Sequence, residues 1–164
     1  MDNIQKKEIS ILPDLSLMPK IGQTGYSVSQ AIAELVDNSI DARKEGKSVL
    51  VEILLPHNKD IIQVIDDGFG MDEETAVNSI RLAHSSKINK LGEFGLGLKT
   101  ATSSLGRTFK IMTTQKDSDR EYILEYDEDK WLKSGSWSKH EMKIKSGIDR
   151  KKSGTRKKGN FSCK

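Results

Sequence analysis

The chain has 164 residues, 31% of them charged and 35% hydrophobic, which suits one domain, or one domain and a tail, burying about two-thirds of its surface. No apolar run approaches the roughly 20 residues of a membrane span, Met1–Glu8 holds no apolar signal core, and the single Cys163 excludes an internal disulfide and fits a reducing cytoplasm. Seven of the 27 Lys and Arg and none of the 24 acids lie in 150–164, so residues 1–149 carry 20 cations against 24 acids, a net of −4, and the body does not read as a nucleic-acid-binding surface.

Residues 1–25, with Pro13 and Pro19 as breakers, read as an irregular N-terminal arm. A helix is expected over Gln30–Ala42, capped by Ser27 or Ser29 and ending near Arg43-Lys44-Glu45-Gly46. At 3.6 residues per turn Glu34, Asn38 and Asp41 share one face, while Ile32, Leu35, Val36 and Ile40 are left for burial. Ser48–Leu55 and Ile61–Asp66 read as a hairpin around the turn Pro56–Asp60. Met71–Ala83 follows as a helix with Asp72 as N-cap and Glu73 and Glu74 in its first turn. Residues 84–95 are polar and Gly-flanked, a loop. Leu96–Leu105 is a short helix closed by Gly106, and strands are expected at about 107–114, 121–126 and 138–145, with Asp117-Ser118-Asp119 turning between the first two. Helices and hairpins in separate blocks predict an α+β fold with helices on one face of a sheet.

Three stretches carry chemistry. In the first helix the Asn38 amide oxygen is a suitable ligand for Mg²⁺, which takes oxygen donors and keeps several waters. One turn away, Glu34 could accept a proton from an attacking water. The second stretch is Asp66-Asp67-Gly68-Phe69-Gly70-Met71. Asp66 ends an apolar strand, so its carboxylate emerges at the edge of the core, where it must be hydrogen-bonded. An ionised carboxylate only accepts, which suits an exocyclic amine, and Gly68 and Gly70 leave room for a flat ring. The third is Gly92-Glu93-Phe94-Gly95-Leu96-Gly97-Leu98-Lys99-Thr100. Its glycines open a helix whose exposed N–H groups can bind phosphate, Lys99 adds a cation, and Thr100 and Thr102 add hydroxyls. It lacks the Gly-Lys-Ser/Thr of a Walker loop and the strand–helix–strand context of a dinucleotide fold.

In this order and spacing the three stretches resemble the GHKL ATPase superfamily, which includes gyrase B subunits, MutL mismatch-repair proteins, the ninety-kilodalton heat-shock chaperones, sensor histidine kinases and MORC proteins. Glu34–Ala42 looks like the N-box in its MutL/MORC form. Ser85-Ser86-Lys87-Ile88 resembles the lid of MutL-like members, and Gly95-Leu96-Gly97-Leu98-Lys99 looks closest to MORC. The resemblance covers roughly residues 26–126. It implies a Bergerat two-layer α/β sandwich, with a mixed, mostly antiparallel sheet and helices on one face, over residues 26–149.

It also implies an ATPase that forms ADP and phosphate with ATP and Mg²⁺ as cofactors. Glu34 would be the general base and Asn38 the metal ligand, with Asp41 beside them. Asp66 would read the adenine amino group in a pocket shaped by Gly68, Gly70 and Met71. Residues 84–97 would form a lid, with Ser86, Lys87, Gly92, Phe94, Gly95, Leu96 and Gly97 around the phosphates and Lys99 near them. Members of this kind couple nucleotide state to dimerisation or to a partner, so a homodimer on ATP binding is expected.

Two departures stand out. The superfamily's late Gly-Thr fits Gly154-Thr155, which would bring Thr155 to the adenine pocket. Arg156-Lys157-Lys158-Gly159-Asn160 follows, however, where an apolar central strand is normal, so 150–164 reads as a basic tail, disordered or a truncated last strand. MutL-like and MORC-like members also continue into a second domain, so the chain reads as a truncated module that could bind ATP without appreciable turnover. A histidine kinase catalytic domain fits less well, since those domains usually lack a Glu at the position of Glu34 and no phosphoacceptor helix precedes residue 26. The tail's cations would give only salt-dependent, sequence-blind nucleic-acid binding. Trp131 and Trp137 read as packing anchors, His84 and His140 stand apart from metal-ligand spacing, and Cys163 reads as incidental.

Overall fold

Residues 12–23, 25–43, 46–57, 60–82, 95–137 and 140–148 are described by a computed structural model, as is the backbone of 159–163. The expected Gln30 helix begins two residues earlier, as α2 (Val28–Asp41). Ser27 forms a capping box: its Oγ accepts from the Gln30 N–H, and its own N–H donates to Gln30 Oε1 at 2.9 Å. The buried line of α2 is Ala31, Leu35 and Ser39, spaced four residues apart. Ile32 and Val36 are only half-buried and Ile40 is exposed, so the expected apolar set was placed partly on the wrong side.

The expected hairpin forms from β1 (Val51–Leu54) and β2 (Ile62–Asp66), paired antiparallel with Val51 opposite Asp66. Helix α3 (Glu73–Ile80) is capped by Asp72, whose carboxylate accepts from the Thr75 N–H at 2.8 Å. Helix α4 (Gly97–Leu105) is closed by Gly106. Then come β3 (Thr108–Thr113) and β4 (Glu121–Asp127), followed by β5 (Met142–Lys145) and β6 (Gly159–Cys163). The strands make one six-stranded sheet in the order β1-β2-β6-β3-β4-β5. Among the described residues all five pairings are antiparallel.

Of the two alternatives for 150–164, a last strand is the one seen, as β6. It runs through Gly159-Asn160-Phe161-Ser162-Cys163 in the middle of the sheet, antiparallel to both β2 and β3. In the sequence the cationic run Arg156-Lys157-Lys158 stands before the residues of this strand.

One core joins the layers. Val64, Phe109, Ile111, Tyr122, Leu124 and Tyr126 from the strands pack with Met18, Ala31, Leu35, Ala76 and Ala101 from the helices. Registers such as Ile111 opposite Leu124 and Phe109 opposite Tyr126 put the strand members on one face, which gives β3 its strict alternation of half-buried and buried positions. The helices thus cover one sheet face, as expected.

Two short helices were not expected. The arm holds α1 (Leu17–Gln23), in which Pro19 sits in the first turn, where a missing N–H costs nothing. It crosses α4 so closely that a Cβ on Gly22 would lie 2.3 Å from the Ser103 carbonyl oxygen, and Ser104 Oγ donates to the Gly22 carbonyl at 3.0 Å. Helix α5 (Glu128–Ser134) is capped by Asp127 and ends at Gly135 with φ +66°. Its Trp131 donates from Nε1 to the Leu15 carbonyl at 3.0 Å, and Trp137 donates to the Pro13 carbonyl. The tryptophans, in edge contact with centroids 5.0 Å apart, thereby tie the segment before α1 to the sheet. No helix among the described residues is long and apolar enough to cross a membrane.

Candidate functional site

Helix α2 touches both other stretches. Glu34 lies half-buried on the side facing α4, where its carboxylate fills the place of a Gly97 side chain. A Cβ built on Gly97 would stand 1.9 Å from Glu34 Oε1. The carboxylate therefore rests on the first residue of α4, at the positive end of that helix's dipole. One turn on, Asn38 Nδ2 donates to the Glu34 carbonyl at 2.7 Å. That bond uses one of the amide's two N–H donors and leaves its oxygen able to ligate. A hard oxygen donor of this kind, one turn from a carboxylate, fits the chemistry of a hydrated Mg²⁺. Asp41 is exposed at the end of α2, on the same face three residues beyond Asn38.

The far end of α2 packs on the second stretch. Asp66 is 5% exposed. Its Oδ1 accepts from the Gly68 N–H at 2.9 Å, and Ser39 Oγ lies 3.4 Å from its Oδ2. The Ser39 hydroxyl also reaches the Leu35 carbonyl at 3.0 Å, so its one proton serves both acceptors. Gly68 has no room for a side chain, since a Cβ would lie 2.8 Å from Asp66 Oδ1 and 2.9 Å from the Ala42 Cβ. The loop then folds against β3. Gly70, at φ +76°, would drive a Cβ to 2.0 Å from the Thr114 carbonyl oxygen. Met71, half-buried, donates its N–H to Thr113 Oγ1 at 2.9 Å, and the Lys116 N–H donates to the Phe69 carbonyl at 2.8 Å. β6 begins here too, with Gly159 opposite both Asp66 and Thr113.

The third stretch starts at Gly95, with φ +61°. Leu96, partly exposed, is the N-cap of α4 and supplies no side-chain cap, and Gly97 meets Glu34. Lys99 is only 4% exposed, and its Nζ donates back to the Gly95 carbonyl at 2.8 Å. Burial pulls its ammonium down to about 8. Thr102, counted among the expected hydroxyls, is fully buried and donates to the Leu98 carbonyl at 2.8 Å, so it faces the core and not a ligand. Ser86, Lys87, Gly92, Phe94 and Thr155 lie outside the described residues.

Glu34, Asn38, Asp66, Gly68, Gly70, Met71, Gly95, Leu96, Gly97 and Lys99 are thus gathered around one helix and the two turns that abut it. Sequence reasoning missed Ser39, Thr113 and Thr114, buried polar residues beside Asp66, Met71 and Gly70 respectively. The one signal for Ser39 was its spacing of four from Leu35 on the buried line.

The sequence pattern of the family described as histidine kinase-, DNA gyrase B-, and HSP90-like ATPase matches residues 26–155. The chain is 35% identical over 105 residues to ATPase morc-1 of Caenorhabditis elegans, covering 63% of this chain and 12% of that protein. It is 35% identical over 115 residues to DNA mismatch repair protein MutL of Petrotoga mobilis, covering 66% of this chain and 18% of that protein. It is 31% identical over 97 residues to ATPase MORC2 of Homo sapiens, covering 54% and 9%. The chain therefore spans a small part of each of these relatives.

Proposed function

This chain belongs to the histidine kinase-, DNA gyrase B- and HSP90-like ATPase family, and from that premise we propose that it binds ATP with Mg²⁺ and hydrolyses it to ADP and phosphate. One observation supports the reading above the others: α2 rests its Glu34 carboxylate on Gly97 at one turn and its Ser39 against Asp66 farther along, so in this reading one helix would run from the phosphate end to the adenine end of the nucleotide. In this reading Asp66 accepts from the adenine amino group, Gly68 and Gly70 admit the ring, and Met71 packs beside it. The N–H groups opening α4 at Gly95, Leu96 and Gly97 receive phosphate oxygens. Ser86, Lys87, Gly92 and Phe94 belong to a lid over the same phosphates, and Thr155 to the adenine side.

Asn38 Oδ1 would hold Mg²⁺, which neutralises phosphate charge when bound. Glu34, one turn from Asn38, orients a water and takes its proton. The carboxylate lies at the start of α4, so the proton is removed next to where the terminal phosphate docks. Nucleotide state would in turn set whether the chain dimerises or engages a partner.

Binding and turnover measured side by side on the purified chain, with Mg²⁺ or with chelator, test this. Mg²⁺-dependent binding with release of phosphate supports hydrolysis. Binding without phosphate release would reduce the function to a nucleotide-holding module, and absence of ATP binding would overturn the reading.

A further inference from the structure

Lys99 has an environment that phosphate binding at α4 does not by itself explain. Its ammonium is buried, and the acceptor it donates to is a neutral carbonyl. Among the described residues it forms no ion pair. The charged groups on the elements packed against α4 are engaged elsewhere or exposed. Helix α2 brings Glu34, seated on Gly97, and the exposed Asp37 and Asp41. Helix α1 brings the exposed Lys20, and α3 the exposed Glu73 and Glu74, with the exposed Arg81 at its C-cap. Strand β3 brings Lys110, paired with Glu125. A desolvated cation at the positive end of a helix dipole opposes folding.

Lys99 does, however, fix one thing. Gly95 is in the left-handed region, and α4 begins without a side-chain cap, so the Nζ–Gly95 bond is the side-chain tie across the Gly95–Leu96–Gly97 turn. A charge-assisted bond of this kind is about twice as strong as a neutral one.

Resting on the reading that nucleotide phosphates dock at this turn, we propose that Lys99 is a positioning residue: its protonated amine, tied to the Gly95 carbonyl, sets the turn's N–H groups to receive phosphate, and docked phosphate in turn favours the protonated form. The sign of the pH effect follows. Burial lowers the Lys99 pKa to about 8 from 10.5, so the nucleotide-free chain loses this proton as pH rises past about 8, and phosphate docking must then restore it. ATP affinity therefore falls with pH above that point. Folding runs the other way: between about 8 and 10.5 the unfolded chain binds more protons than the folded one, so stability rises with pH across that window.

The test is calorimetric titration of the full chain with ATP and with adenosine, at about pH 7 and about pH 9.5, on either side of the titration. Wild type, Lys99→Arg and Lys99→Met are compared, with melting temperatures. We expect wild-type ATP affinity to weaken about tenfold at the higher pH, with proton uptake on binding. Lys99→Arg, permanently charged, gives a flat profile. Lys99→Met binds ATP about tenfold more weakly at both pH values and melts no lower than wild type at neutral pH. Adenosine affinity, which depends on Asp66, stays the same throughout. Lys99→Met binding ATP like wild type would overturn the proposal, as would a flat wild-type profile. Equal losses for adenosine with a lower melting temperature would show a structural role instead. Wild type binding neither compound would overturn the nucleotide reading itself.

Discussion

Asp66 and the glycines show how single residues set this site. An Asp66→Asn change swaps an acceptor-only carboxylate for an amide whose NH₂ opposes an amine donor, and it turns that NH₂ toward the Gly68 N–H or the Ser39 hydroxyl. ATP affinity should fall about tenfold or more while GTP affinity changes less, and normal ATP affinity by calorimetry would rule out the adenine assignment. The glycines separate by what lies where a Cβ would go. At Gly97 it is the far end of the Glu34 side chain, which can swing away, so Gly97→Ala keeps the fold but displaces the carboxylate. At Gly70 it is the Thr114 backbone carbonyl, with φ +76° adding strain, so Gly70→Ala should cost about 1–3 kcal/mol and melt lower. Thermal melts beside ATP turnover check the pair: turnover lost at unchanged melting temperature for Gly97→Ala, and a lowered melting temperature for Gly70→Ala. The polar groups that matter were legible where they stood next to glycine, as with Asp66. Ser39, Thr113 and Thr114 were not, because a buried hydroxyl reads in sequence like a solvated one.

At the scale of elements, chain punctuation was readable. Ser27, Asp72 and Gly106 mark the ends of α2, α3 and α4, because capping is a local transaction between a side chain and orphan backbone groups. The short helices escaped. In α5 the signals were present, with Asp127 and two acids at the start and Gly135 at the end, but seven residues are too few for a 3.6 period to stand out. Pro19 pointed away from α1, although in a first turn it breaks nothing. That helix is held by proximity, and Gly22 permits it. Gly22→Ala would press a methyl onto the Ser103 carbonyl and push α1 off α4, at about 1–3 kcal/mol. The melting temperature should drop by several degrees, and an unchanged melt would show that α1 does not hold α4.

For the whole molecule, the sheet is two blocks closed by its last strand. β1 and β2 form one block and β3, β4 and β5 the other, and β6 pairs with β2 and with β3. The local hairpins were legible from alternation and turns. The central place of β6 was not, because it depends on pairing between residues nearly a hundred positions apart and follows a run of cations. Ending the chain after Lys158 should therefore abolish cooperative unfolding and, with it, ATP binding, since Gly159 stands between Asp66 and Thr113. A sharp wild-type-like melt of the shortened chain would contradict that.

Helix α2 carries Glu34 to Gly97 and Ser39 to Asp66. The most direct measurement is ATP affinity and turnover of Glu34→Ala beside wild type, under saturating Mg²⁺. Near-normal affinity is expected, with turnover reduced about 10²–10⁴-fold, the usual worth of a general base. Unchanged turnover, or affinity and turnover lost together, would contradict it.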